Sequence, residues 1–206
     1  MKNTVIGVII FTIVFLGLGW LMVGRTSTDS PVDLPITQTD HITGNASASA
    51  TLIEYSDFQC PVCADYQPLI NQIKTGLGNN LRIIFRHFPL ENIHPNTQLA
   101  AQASEAASTQ GKFWEMHDLL FENQEFWSKL EDPTEKFTEY AKELSLNTEK
   151  FTSDLTSKEA KDKVNSDYQT GLNTKVNSTP SFFINDEKIQ NPGSYETFKQ
   201  IIEQEL

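Results

Sequence analysis

The chain's only two cysteines stand as Cys60-Pro61-Val62-Cys63. Two thiols at this spacing can cycle between dithiol and disulfide, and that chemistry has to be weighed against three blander ones. As a structural staple the pair is poor, since chain-entropy arithmetic gives roughly 2 kcal/mol for so small a loop against about 3 for a fifteen-residue loop. A zinc site needs four ligands, and His41, His87, His94 and His117 include no pair at a His-x3–5-His spacing. Two inert buried thiols are the third reading, because free cysteine often behaves as a small hydrophobe. Context favours the redox reading: a β-rich run precedes the pair and a helical pattern follows it. On this reading neither metal nor cofactor is expected.

The division of labour follows from a helix start at the first cysteine. There Cys60 faces unpaired backbone N–H groups and the positive end of the macrodipole, which favour thiolate over thiol. Cys63, one turn on and facing inward, stays a poor nucleophile. Cys60 is thus the attacked and attacking sulfur, and Cys63 resolves the mixed disulfide. Pro61 fixes φ in the first turn, where its missing donor costs nothing.

The elements that must position this pair follow from hydrophobic period and punctuation. Thr51 to Ser56 reads as a buried strand. Residues 60 to 77 place Leu69, Ile70, Ile73 and Leu77 at helical spacings, ended by Gly78 and kinked at Pro68. Arg82 to Phe88 is a second strand stopped by Pro89. From Pro95 to Gly171 runs a helical stretch with breaks near Gly111, Pro133 and Asn147. Its large apolar residues Phe113, Trp114, Leu119, Leu120, Phe121, Phe126 and Trp127 are expected in the core. A hairpin at 181 to 189 turns at Asn185-Asp186, and a last helix covers Ser194 to Glu205. This order predicts an α/β fold in which a helical block, about 95–171, interrupts a small mixed sheet.

Residues 4 to 24 form an uncharged apolar run whose Val5 to Gly24 portion, about 20 residues, is long enough to span hydrocarbon. An uncleaved anchor at 1–25 is expected, because the run exceeds the usual signal-peptide core and lacks a nearby small-x-small cleavage site. Lys2 and Arg25 nearly tie on the positive-inside count, so orientation must come from the chemistry. The Ser-, Thr-, Asp- and Pro-rich stretch 26–49 reads as a linker, with Asp40 to Asn45 as an edge strand and turn at its end. The domain itself is placed at 50–206. The net charge of −11 and the absence of a basic cluster exclude nucleic acid as a partner.

Several separated motifs resemble one family. Glu-Tyr-Ser-Asp-Phe-Gln-Cys-Pro-Val-Cys at 54–63, Ile93-His94-Pro95-Asn96, the stretch Gly111 to His117, and Ser178-Thr179-Pro180-Ser181-Phe182-Phe183-Ile184 together resemble the DsbA-like thiol:disulfide oxidoreductases. The likeness is strongest to the membrane-anchored bacterial branch similar to BdbD. It implies a thioredoxin fold with a helical insertion, and disulfide donation to secreted proteins outside the cytoplasmic membrane. Reduced substrate proteins and a recycling quinone reductase of DsbB or VKOR type are the implied partners of a monomeric enzyme held by its N-terminal helix.

Carried over by position, the resemblance makes Pro180 a cis proline opposite the cysteines, with Thr179, Pro61 and Val62 meeting the substrate. Glu54 matches the buried acid that relays a proton to or from the inner thiol, beside the alternative of an outward strand carboxylate. Pro68 matches a structural helix-kink proline. Val62 departs from the family's strong oxidants, which carry His there, so a less oxidising enzyme is expected. A reductase or isomerase of the same fold, and a non-catalytic thioredoxin-like binding module, remain as alternatives.

Overall fold

A computed structural model describes residues 33–206. Strands β1 (His41–Gly44), β2 (Ala50–Ser56), β3 (Leu81–His87), β4 (Ser181–Ile184) and β5 (Glu187–Ile189) form one sheet in the order β1-β3-β2-β4-β5. β2 and β3 pair in parallel and are joined through helix α1 (Pro61–Leu77), whereas the other three pairings are antiparallel. A parallel pair needs such a crossover.

Every residue of β2 is buried, so its alternation divides two cores rather than core from solvent. Ala50 and Leu52 pack with Ile70, Ile73 and Leu77 of α1 and with Phe198 and Ile202 of helix α8 (Tyr195–Glu203). Ile53 and Tyr55 face the opposite side, with Ile84, Phe88 and Phe183. The same alternation sends Glu54 to the α1 side, beneath the cysteines.

Six helices lie between β3 and β4: α2 (Thr97–Ser108), α3 (Phe113–Glu122), α4 (Gln124–Trp127), α5 (Thr134–Glu143), α6 (Thr148–Leu155) and α7 (Lys158–Asn173). Ala100, Ala101, Ala103, Ala106 and Ala107 give α2 a small-residue face against which Met116, Leu120, Trp127, Phe137 and Phe151 close. The same core takes in Phe58, Cys60 and Cys63, which places the dithiol at the seam between block and sheet. At Gly171 of α7 an added Cβ would come within 2.6 Å of the Phe88 ring, so this close approach of helix to sheet requires glycine.

The expected elements are present with shifted edges, and three differences have physical causes. Phe126 is 58 % exposed, because α4 is a single turn that turns Trp127 inward and leaves its neighbour outward. The break at Asn123 and the one after Leu155 are marked by neither Gly nor Pro. The third difference is the start of the domain. The boundary at residue 50 falls too late, since β1 pairs with β3 and Leu34 is buried in the Tyr55 core. Buried Arg86 secures this arm by donating to both oxygens of Asp40, at 3.0 and 2.9 Å, and to Pro35 O. Burial alone would raise the Asp40 pKa, but the hydrogen bonds from Arg86 and the Thr37 N–H outweigh it and hold the carboxyl below its ordinary value.

The expected anchor at 1–25 and the first part of the linker lie outside the described residues. Among the described residues no helix is long and apolar enough to cross a membrane.

Candidate active site

Cys60 is the N-cap of α1, with extended backbone angles, and Pro61 occupies the first helical turn. An N-cap cysteine presents its sulfur to the orphan N–H groups of that turn, and here the Val62 and Cys63 backbone donors reach it. Together with the Cys63 thiol, which contributes most, and the Thr179 hydroxyl, they overcome burial and lower the Cys60 pKa from 9.0 to about 6. At pH 7 such a sulfur is about nine-tenths thiolate.

Cys63 is fully buried, and both cysteines are free thiols. Burial, followed by the neighbouring Cys60 and the charge of Glu54, pushes the Cys63 thiol well above its ordinary value. One sulfur is therefore poised as nucleophile and the other held as a protonated reserve.

The Thr179-Pro180 peptide bond is cis. This loop stands directly over the pair: Cys60 Sγ lies 3.5 Å from Thr179 O. Among the described residues Thr179 Oγ1 has no other partner, so it is free to donate to the sulfur when Cys60 is ionised. Asn191 Nδ2 donates to Pro180 O at 2.9 Å and pins the far side of the loop. Pro61 and Val62 are exposed beside the sulfur, Val62 by 48 %.

Glu54 is 2 % exposed, and burial raises its pKa from 4.5 to about 7. Gln67 Nε2, one turn past Cys63 on α1, donates at 3.3 Å both to Glu54 Oε1 and to Cys63 O, linking the acid to the inner cysteine. Ser56 Oγ pulls the pKa of each group down by its proximity, yet makes no hydrogen bond of ordinary geometry.

Sequence reasoning did not single out the side chains that hold the approach to the helix. Asp57, buried, accepts from Gln59 N at 2.7 Å, Leu90 N at 2.9 Å and His94 Nδ1 at 2.7 Å, and also from the Thr97 hydroxyl. Gln124 of α4 donates to Phe58 O at 2.7 Å and Cys60 O at 2.9 Å. These bonds fasten the segment before Cys60 to the helical block. Asp57 and His94 both fall within the motifs that resemble the family, but the sequence gives no signal that they pair, and none for Gln124, because the partners come from distant positions in the chain.

A sheet of this order, a dithiol at a helix N-cap and a cis proline over it define a DsbA-like member of the thioredoxin superfamily. The chain belongs to the thioredoxin family, whose model described as Thioredoxin matches residues 36–204. Among solved structures it is similar to BdbD from Bacillus subtilis, with TM-score 0.76 at 23 % identity over 86 % of this chain and 98 % of that one. It is also similar to alpha-DsbA1 of Wolbachia pipientis, with TM-score 0.72 at 25 % identity over 84 % and 92 % of the two chains. Among curated proteins, a segment of the Na(+)/H(+) antiporter NhaA 3 of Salinispora tropica is 33 % identical over 79 % of this chain. The chain spans only 24 % of that antiporter's length.

The Val62 position yields a direct test. Substituting His is expected to lower the Cys60 pKa below about 6, because an imidazolium beside the sulfur adds attraction that valine cannot supply. A lower thiolate pKa stabilises the reduced form, so the potential should rise by roughly 30 mV for each unit by which the pKa falls. Thiolate absorbance titration and a glutathione equilibrium of parent and Val62→His check both halves. An unchanged potential overturns the link between position 62 and oxidising strength.

Proposed function

We propose that the protein is an extracytoplasmic thiol:disulfide oxidoreductase that introduces disulfides into exported proteins through Cys60 and Cys63. The observation that carries this reading is the opposed tuning of the two sulfurs, with Cys60 lowered to about 6 and Cys63 raised. In the oxidised enzyme a substrate thiolate attacks Cys60 Sγ, the Cys60–Cys63 bond breaks, and Cys63 leaves and takes a proton. A second substrate thiolate then attacks the substrate sulfur of the mixed disulfide and expels Cys60 as thiolate. The substrate loses two electrons and the enzyme gains them. The stabilised Cys60 thiolate makes it the better leaving group in the second step.

Glu54, with its pKa near neutrality, supplies the proton that Cys63 takes up and removes it on reoxidation. The open backbone before Pro180, with Thr179, Pro61 and Val62 around it, receives an extended substrate segment. The apolar run at Val5 to Gly24 holds the domain at the outer face of the cytoplasmic membrane, where the thiol pool does not reduce the enzyme as fast as it is oxidised. A membrane quinone reductase of DsbB or VKOR type re-forms the disulfide. The absence of His at Val62 favours a second reading, a reductase or isomerase of the same fold.

Equilibration of the full chain with reduced and oxidised glutathione tests the direction. A potential clearly above the roughly −270 mV of thioredoxin is expected, and a value at or below that level transfers the assignment to the reductase. Protease added to intact spheroplasts should remove the domain and leave the anchor. Protection of the whole chain overturns the topology.

A further inference from the structure

Ser56 closes β2 two positions after Glu54, on the same α1-facing side of the sheet. It is 1 % exposed, and among the described residues its hydroxyl has no hydrogen-bond partner. The backbone there is fixed, since Ser56 O accepts from Phe88 N at 2.8 Å, so only the side chain can turn. A buried hydroxyl without a partner has given up its water uncompensated, which a folded chain tolerates where the group takes part in chemistry.

The neighbours of this hydroxyl are the two groups that must exchange a proton. Burial raises the pKa of both Glu54 and Cys63, and the nearby hydroxyl opposes that rise at each. Among the described residues no hydrogen bond joins the carboxyl directly to the thiol, and the two interact through charge. Gln67 links the acid to Cys63 O, but through an amide N–H that neither yields nor takes up a proton near neutral pH. His87, beside Ser56 in the register of β3, has Nε2 committed to Glu105 Oε1 at 2.7 Å. A hydroxyl donates and accepts at once.

We propose that Ser56 Oγ carries the proton between Cys63 Sγ and the Glu54 carboxylate, an inference that rests on the thiol-exchange reading above. When Cys63 resolves a mixed disulfide, its proton passes to Ser56 Oγ while the serine's own proton passes to ionised Glu54. The Cys63 thiolate attacks Cys60 Sγ, the Cys60–Cys63 bond forms, and the substrate sulfur leaves as thiolate. In disulfide donation the transfer runs backwards: Cys63 leaves Cys60 as thiolate and takes the hydroxyl proton, which neutral Glu54 replaces. The serine ends unchanged, one proton has crossed, and no electrons move beyond those of the exchange. While Cys63 is ionised the same hydroxyl donates to it, offsetting part of the cost of a buried charge. Such contacts are commonly long in a resting enzyme and tighten when substrate is attached.

Stopped-flow release of a glutathione adduct from Cys60 in the full chain tests the relay. Ser56→Ala is expected to slow release by between about 10-fold and the roughly 100-fold expected of Glu54→Gln. The parent rate should level off as Glu54 ionises near pH 7, whereas the variant loses that inflection and keeps rising with pH. In the Glu54→Gln background Ser56→Ala should add no further slowing. A scaffolding role is separated by denaturant unfolding at about pH 5, where the variant should be no less stable than the parent, because its hydroxyl has no partner to lose. Undiminished release by Ser56→Ala, or additive slowing in the double variant, overturns the proposal. If Glu54→Gln alone is slow, the thiol-exchange reading stands and the proton crosses without Ser56. If Cys63→Ala traps no adduct, the thiol-exchange reading falls and the relay with it.

Discussion

Replacing Cys63 by Ala is expected to turn the protein into a covalent trap, while replacing Cys60 by Ser abolishes exchange altogether. The asymmetry comes from the environments of the sulfurs rather than their order in the chain. Cys60, at the helix N-cap with its pKa lowered to about 6, is ionised and attacks an oxidised substrate or glutathione disulfide in either background. In the parent the mixed disulfide is short-lived, because Cys63 lies one turn away and displaces the bound sulfur. With alanine there, no internal thiol remains and the adduct persists until an external thiol removes it. Turnover falls to background and adducts accumulate. In the Cys60→Ser protein the surviving Cys63 is fully buried and its pKa is raised, so it is neither accessible nor ionised at neutral pH. Mass spectrometry of the adducts reads the outcome directly. Adducts through Cys63 in the Cys60→Ser protein overturn the assignment of roles.

That assignment is legible in the sequence for a local reason. A Cys-x-x-Cys between a strand and a helix fixes the N-cap geometry within a few residues, and N-cap geometry determines which thiol sees the backbone donors. The hairpin at Asn185-Asp186 is legible for the same reason, since both residues take the positive φ that a two-residue turn requires. What escapes sequence reading is nonlocal. Gln124 reaches back 64 positions to Cys60 O and Asp57 forward 37 to His94, and nothing in either local pattern announces it. The start of the domain is misjudged because the arm before β1 is polar in composition. Its order comes from a buried ion pair between Asp40 and Arg86, 46 positions apart, and from the apolar burial of the Leu34 side chain.

Substituting Gln for Glu54 is expected to stabilise the reduced protein and slow its chemistry at once. Burial raises this carboxyl from 4.5 in the ordinary state to about 7 in the fold. A raised acid carries no penalty below about pH 4.5, where it is neutral both folded and unfolded. As pH climbs toward 7 the unfolded chain ionises freely while the folded one resists, so stability is lost over that window. Above it the loss levels off at about 3 kcal/mol, from 2.5 pKa units at 1.36 kcal/mol each. The Glu54→Gln change removes the titration while keeping the shape of the side chain and a partner for Gln67. Denaturant unfolding of the dithiol form should therefore show parent and variant alike at about pH 4.5 and the variant more stable by about 3 kcal/mol at about pH 8. The kinetic effect runs the other way. Removing the charge of Glu54 eases one of the influences that raise the Cys63 pKa, so a bystander carboxylate, once removed, would leave resolution of mixed disulfides unchanged or faster. A carboxylate that accepts the Cys63 proton would make its removal slow that step by about 100-fold, the lower range for a positioned general base. Stopped-flow release of a glutathione adduct from Cys60 separates the two cases. A variant that gains stability at the higher pH yet resolves the adduct no more slowly assigns Glu54 a purely electrostatic place beneath the dithiol.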